Sequence, residues 1–203
     1  MEEKCVLQSK EYELEGLLDK RSQNQAVIIT HPHSLYGGSM HNPVVEAIRT
    51  AFNNNGYTTL RFNFRGVGNS QGNFDNGRGE QEDVRAAITY LIESGTTAVN
   101  LAGYSFGAWV NASLIINDSA PVSEMIMVSP PVGFIDFESG KTINCLKLVV
   151  TGSQDDIAPA DLIRDVLPSW NPDARFEIID GCDHFYAGHL KKLETILSSF
   201  LQK

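Results

Sequence analysis

Basic side chains are in short supply. The 203 residues include 16 Lys and Arg against 25 Asp and Glu, a formal net charge of −9 with an isoelectric point near 5.0. A field of that sign repels phosphate-rich surfaces, which argues against nucleic acid or an anionic membrane as the main partner. Cysteine is scarcer still. Cys5, Cys145 and Cys182 stand far apart and are odd in number, which excludes a disulfide framework or a cysteine zinc knuckle and suits a reducing compartment. No apolar run approaches the roughly 20 residues of a membrane span. Met1-Glu2-Glu3-Lys4 leads into mixed polar residues and lacks the apolar core of an export signal. A cytoplasmic location is expected, and the glycosylation-like tripeptides at Asn111 and Asn117 are then read as ordinary helix residues. Repeats, low-complexity tracts and linkers are also missing, so the length suits one domain spanning residues 1–203. Nothing in the chain bears on oligomeric state.

What is present alternates. Cys5–Gln8 and Tyr12–Leu18 read as an antiparallel hairpin. Ala26–Thr30 is a β-branched run that suits a strand buried on both faces. Pro43–Asn54 has apolar residues at helical spacing, with Pro43 suited to the first turn and Asn55-Gly56 to the stop. Thr58–Phe64, Ala98–Ala102, Ser123–Val128, Leu146–Thr151 and Arg175–Ile179 read as further strands. Glu80–Ile92, Ala108–Ile116, Asp161–Leu167 and His189–Leu201 read as helices. The expected fold is α/β: a mainly parallel sheet with helices on both faces after a leading hairpin. In open sheets of this kind sites lie at the carboxyl ends of the strands. Each chemically unusual loop follows a strand there, so these loops are expected to converge.

One loop organises the others. Gly103-Tyr104-Ser105-Phe106-Gly107 matches Gly-x-Ser-x-Gly between a strand and a helix. So sharp a turn needs small residues two before and two after the serine, and it lifts the hydroxyl clear of the sheet edge. A serine hydroxyl needs a base, and the base needs a carboxylate to orient it. His184 follows the last strand, and Asp155 follows the strand before it. Asp156 is the second candidate for the acid and Asp183 a third. The order Ser105, Asp155, His184 suits one hydrolase architecture. The oxyanion formed on attack needs two N–H donors. Phe106 supplies one, and the loop after Ala26–Thr30 the other, from Leu35 or His33 with Leu35 preferred. His33, Tyr36, Tyr104 and Phe134 are the expected substrate-binding residues. The pocket is expected to be shallow and lined by Leu35, Tyr36, Phe134 and Phe137, favouring short acyl chains.

Competing readings attach to two loops. His31 and His33 could pair on a metal, but no third ligand is spaced nearby to complete a zinc site; His31 reads better as a residue that pins its loop. The glycine-rich run Arg65–Gly72 lacks the Gly-Lys-Ser/Thr ending of a phosphate cradle, and reads as a shaped loop organised by Asp75 and Glu80. No metal and no cofactor are expected.

Taken together the chain resembles the α/β-hydrolase superfamily, and more narrowly a group of small single-domain bacterial hydrolases related to dienelactone hydrolases. The resemblance rests on His31-Pro32-His33-Ser34-Leu35-Tyr36-Gly37-Gly38, on Phe62–Gly72 and Phe74–Glu80, on Gly103–Gly107, and on Asp183-His184-Phe185. Ser34 stands where the group often has proline, and Ser105 where dienelactone hydrolases proper have cysteine. The resemblance implies an α/β-hydrolase fold without a lid domain and a Ser-Asp-His hydrolase, an esterase or thioesterase acting on a small acyl substrate, and implies no particular substrate. A binding or regulatory module on the same fold, and an acyltransferase or peptidase using the same residues, are the alternatives.

Overall fold

Eight strands make one sheet in the computed structural model, which describes residues 1–118, 120–137 and 140–202. β1 (Glu3–Ser9) and β2 (Tyr12–Asp19) form the leading hairpin. β2 pairs antiparallel with β4 (Thr58–Phe62). From there β4, β3 (Gln25–Thr30), β5 (Ala98–Tyr104), β6 (Met125–Val128), β7 (Leu146–Gly152) and β8 (Arg175–Ile179) lie side by side. All of these are parallel.

Alternate side chains of the buried strands feed two apolar layers, as the strand period requires. Val27 and Ile29 of β3, Ala102 of β5 and Leu148 of β7 face α1 (Pro43–Asn54) and α5 (Leu190–Leu201). Ile28, Leu60, Leu101, Met127 and Val149 face the layer built by α2 (Arg78–Glu93), α3 (Phe106–Asn117) and α4 (Ala160–Trp170). The expected architecture is the observed one.

Differences sit at element ends and have local causes. β4 stops at Phe62 because the next two residues turn to other partners: Asn63 N–H goes to Glu15 O at 3.0 Å and Phe64 N–H to His31 Nε2 at 3.0 Å. α2 starts at Arg78, before the expected Glu80, because the Glu80 carboxylate folds back to accept Gly77 N–H at 2.7 Å and Asp75 N–H at 2.9 Å. That satisfies N–H groups which a helix start would otherwise leave open. α4 continues past Leu167 through Pro168 to Trp170, whose ring packs 4.9 Å from that of Phe137. Ser34–Tyr36 forms a single 3-10 turn inside a stretch expected to be irregular. Between β6 and β7 the described residues form neither helix nor strand, so no lid covers the carboxyl edge there.

Register brings the strand ends to one rim. Thr30 pairs with Gly103, Tyr104 with Val128, Val128 with Val150, and Gly152 with Ile179.

Candidate active site

Ser105 stands between the last residue of β5 and the first of α3 with φ 53° and ψ −120°, a conformation that costs an L-residue free energy and persists only where packing enforces it. The two glycines are demanded by contact. A Cβ on Gly103 would sit 2.5 Å from Ala108 Cα, and one on Gly107 would sit 2.6 Å from Thr30 O. Ser105 N–H donates to Val128 O at 2.9 Å, tying the turn to β6. Asn111, one turn into α3, is fully buried and donates from Nδ2 to Thr30 Oγ1 at 3.0 Å, fixing the helix against the end of β3.

His184 and Asp155 meet this serine although 79 and 29 residues of chain separate His184 from Ser105 and from Asp155. Nε2 of His184 lies 2.9 Å from Ser105 Oγ, and Nδ1 lies 2.9 Å from each carboxylate oxygen of Asp155. All three residues are buried. Burial pushes the Asp155 carboxyl up, but hydrogen bonds and charge attraction from His184, helped by Ser129 and by Ala158 N–H, more than offset it and hold the carboxyl below its usual range. Oδ1 also caps the following turn, accepting from Ile157 N–H at 3.0 Å and Ala158 N–H at 2.7 Å. Asp156 and Asp183 do not occupy this position; Asp183 Oδ1 accepts Phe185 N–H at 3.1 Å instead. The arrangement orders a base against a hydroxyl and a carboxylate against the base.

The opposite flank is built from backbone. Phe106 opens α3, so its N–H has no acceptor within the helix and points out of the helix start. Across from it, His33 caps the 3-10 turn, and its Nδ1 accepts Leu35 N–H at 3.3 Å. Leu35 is thus engaged by the ring two residues before it, whereas His33 N–H has no acceptor among the described residues. The His33 ring lies 4.7 Å from the Phe106 ring and 4.9 Å from that of Phe74, and burial holds its pKa below the ordinary histidine value.

His31 is fully buried with both ring nitrogens used. Nδ1 donates to Pro32 O at 2.7 Å and Nε2 accepts Phe64 N–H at 3.0 Å, which leaves no lone pair for a metal and ties the β3 loop to the β4 loop. Burial drives its pKa down to about 4, so it is neutral. The glycine-rich loop after Phe64 is anchored from behind. Arg65 places its N–H, Nε and Nη2 on the buried Asp83 carboxylate, with Nη2–Oδ1 at 2.7 Å. The Asp83 carboxylate also accepts Ser9 Oγ–H at 2.7 Å. The expected organisers of the Arg65–Gly72 run act elsewhere: Glu80 accepts Gly77 N–H and Asp75 N–H at the start of α2, and Asp75 takes part only through its backbone. Asp83, not foreseen, is the larger anchor; an acid inside the apolar spacing Val84, Ala87, Ile88 was its signal.

Among the expected substrate-facing residues, Leu35, Tyr36 and Phe134 are exposed, by 67%, 88% and 74%, as befits an open mouth. Phe185, next to His184, is 71% exposed and joins them. Two expectations need correction. Tyr104 is buried beneath the site and donates its hydroxyl to His184 O at 2.8 Å, supporting the base instead of lining a pocket. Phe137 is buried against Trp170 and lines nothing open. Ser129 and Tyr186, at the ends of the β6 and β8 loops, are further residues that sequence reasoning passed over; Ser129 had the signal of ending a parallel strand.

The family described as "Serine aminopeptidase, S33" matches residues 22–139. The chain belongs to this hydrolase family. It is 34% identical over 200 residues to the uncharacterized protein RP471 of Rickettsia prowazekii, covering 93% of this chain and 84% of that one. The structure is similar to an alpha-beta serine hydrolase homologue from Coxiella burnetii, with TM-score 0.88, 33% identity, and 98% and 97% of the two chains covered. It is equally similar to XC6422 from Xanthomonas campestris, described as an a/b serine hydrolase without lid, with TM-score 0.89, 30% identity, and 99% and 94% covered. Est1E from Butyrivibrio proteoclasticus, solved with ferulic acid bound, shares the fold at 18% identity and TM-score 0.82, covering 98% of each chain. This member of the family is therefore an α/β-hydrolase, and among its described residues no helix or strand between β6 and β7 forms a lid.

Proposed function

We propose that this hydrolase cleaves small acyl esters through an acyl-enzyme on Ser105. The observation that carries the reading is the 2.9 Å approach of His184 Nε2 to Ser105 Oγ with Asp155 on the other ring nitrogen. Ser105 Oγ attacks the acyl carbon as its proton passes to Nε2. The carbonyl electron pair moves onto oxygen, where Phe106 N–H and His33 N–H donate to it. On collapse the leaving alkoxide takes the proton from Nε2. Water then repeats the sequence with His184 as base, releasing the acid and restoring Ser105. Asp155 keeps the proton of neutral His184 on Nδ1, so that Nε2 is the free base.

Leu35, Tyr36, Phe134 and Phe185 are exposed, and on this reading they supply apolar contact for a short acyl group without a long tunnel. Butyryl esters are therefore expected to turn over with higher kcat/KM than dodecanoyl esters. The decisive experiment is labelling with a fluorophosphonate beside Ser105→Ala. Wild type should label and the variant should not. An unlabelled wild type would favour a binding module on this fold. A panel of esters, thioesters and aminoacyl arylamides then separates ester cleavage from the peptide chemistry in the family's description.

A further inference from the structure

Beside Ser105 the site has a wall of rings. Phe106 follows the serine directly, and its ring is buried. The His33 ring lies against it at 4.7 Å between centroids. Two further rings lie on His33: Tyr36 at 4.8 Å, tilted by 48°, and Phe74 at 4.9 Å, tilted by 37°. Phe74 also meets Phe106 at 5.7 Å. The rings thus step outward from the serine's own turn, from Phe106 at 2% exposure to Tyr36 at 88%. Leu35 is the one branched aliphatic residue in the loop between β3 and Met40.

The wall is stiff. Leu35 N–H donates to His33 Nδ1 at 3.3 Å, which fixes the orientation of the neutral imidazole and leaves its proton on Nε2. Tyr36 N–H and Gly38 N–H both donate to His33 O at 3.1 Å, closing the turn that carries Tyr36. Behind Phe74, the Trp109 ring lies 5.5 Å from that of Phe106 and presses on Gly77 so closely that a Cβ there would sit 2.1 Å from Cζ3 of the indole. The indole N–H donates to Asp136 O at 3.0 Å. Rings held in place before a ligand arrives lose little freedom on binding.

Shape and charge select what such a wall takes. A shallow surface reaches only atoms close to it, so a compact flat group buries more of itself there than a chain of equal carbon count, and it has fewer rotors to freeze. Aromatic pairs gain further from offset-stacked and edge-to-face contact at centroid separations of about 4.5–7 Å, and rings already tilted against one another offer both. Charge narrows the class. Residues 31–42, 153–159 and 180–189, the loops after β3, β7 and β8, include no Lys or Arg. Arg65 in the β4 loop is committed to Asp83. Asp156 and Asp183, next in sequence to Asp155 and His184, are both acids. An anionic substituent meets like charge on these loops and no cation to offset it.

We propose that the acyl group this hydrolase takes is flat, aromatic and uncharged, laid on the ring wall of His33, Tyr36 and Phe74 while its carbonyl oxygen faces Phe106 N–H. The proposal rests on the serine-hydrolase reading and names the substrate class of that same site.

The test uses ethyl phenylacetate and ethyl cyclohexylacetate. These share a leaving group, a carbon count and an insulating methylene, and differ in the flat ring. Rates are divided by those of alkaline hydrolysis. Wild type should favour the phenylacetyl ester in kcat/KM by about 2–10-fold, the size of one aromatic pair. Tyr36→Leu and Phe74→Leu keep apolar surface but remove a ring, and each should bring the ratio toward one. Ethyl (4-carboxyphenyl)acetate should be slower than its uncharged parent. A wild-type ratio near one, a ratio unmoved in both variants, or a preference for the carboxylated ester would overturn the proposal, and turnover of a butyryl ester in the same assay would leave the hydrolase reading standing. Tyr36 is exposed, so Tyr36→Leu decides if Phe74→Leu fails to fold. Wild type that neither labels with a fluorophosphonate nor cleaves any of these esters ends the hydrolase reading, and this proposal with it.

Discussion

The two flanks of Ser105 are held by opposite means. On the β3–β4 side, buried charged and imidazole groups grip backbone: Asp83 and Glu80 accept N–H groups of the loops, and His31 accepts Phe64 N–H. The product of that scaffolding is the fixed loop whose main-chain N–H groups we propose as oxyanion donors. On the β6–β8 side, the Asp155 carboxylate grips the His184 ring and the Ser129 and Tyr186 hydroxyls grip each other, and the product is an imidazole held in one orientation. A donor made from backbone needs a rigid loop, so the energy goes into stability. A base needs the right proton inventory, so the energy goes into orienting Asp155. Damage to the first flank should therefore appear mainly as unfolding, and damage to the second mainly as lost rate.

The strongest way to break this contrast is Asp155→Asn. An asparagine oxygen still caps Ile157 and Ala158 but leaves His184 in the wrong tautomer. A fall in kcat of about 10⁴-fold, with Tm changed by only a few degrees, is expected. Retention of a tenth of the activity would remove Asp155 from its role. Next in size is Asp83→Ala, which strands the buried Arg65 guanidinium. Urea unfolding should show a loss of about 3–5 kcal/mol, while the surviving folded fraction keeps most of its kcat. If stability held and kcat collapsed instead, the flanks would not divide the labour as described.

A sharper probe addresses the donor itself. His33 has φ −56°, which proline also adopts, so His33→Pro removes one N–H while His33→Ala keeps it. The proline variant should lose about 10²–10³-fold in kcat relative to the alanine variant. Equal rates would return the second donor to Leu35.

The smallest effect is the acid response of His31. Its pKa falls from 6.5 to about 4 on folding because burial disfavours the charged ring. Between those values the unfolded chain binds more protons than the folded one, so stability drops as pH falls through that window and is fully present above it. The loss amounts to about 3 kcal/mol at most. Carboxyls held low in the fold, such as Asp155, Glu15 and Asp19, add their own losses only below about pH 4. Thermal melts at pH 7 and 5 should differ by less in His31→Gln than in wild type.

The same contrast explains what could be read from the sequence. That Ser105, Asp155 and His184 meet was legible because the chemistry proposed for them restricts residue type, and strand order restricts where each stands. The parallel sheet and its hairpin were legible from alternating apolar runs. Which loop N–H stands free was not, because any residue carries an N–H, and whether that of Leu35 or of His33 is engaged depends on where an imidazole folds back. Tyr104 was misread because its place in Gly-x-Ser-x-Gly says nothing about which face of β5 it occupies. Ser129 and Tyr186 were invisible because hydroxyls are common, and only a tertiary contact gives these two a partner.

The stretch between β6 and β7 contributes neither helix nor strand among its described residues, and that bareness has a kinetic consequence. For the ester chemistry proposed above, admission should be one diffusive encounter, with no opening rate between arrival and attack. Viscogens should then slow kcat/KM only for esters reactive enough to be captured on nearly every collision. Monomeric and micellar forms of one substrate should be hydrolysed without the jump in rate that a hinged cover produces at an oil–water boundary.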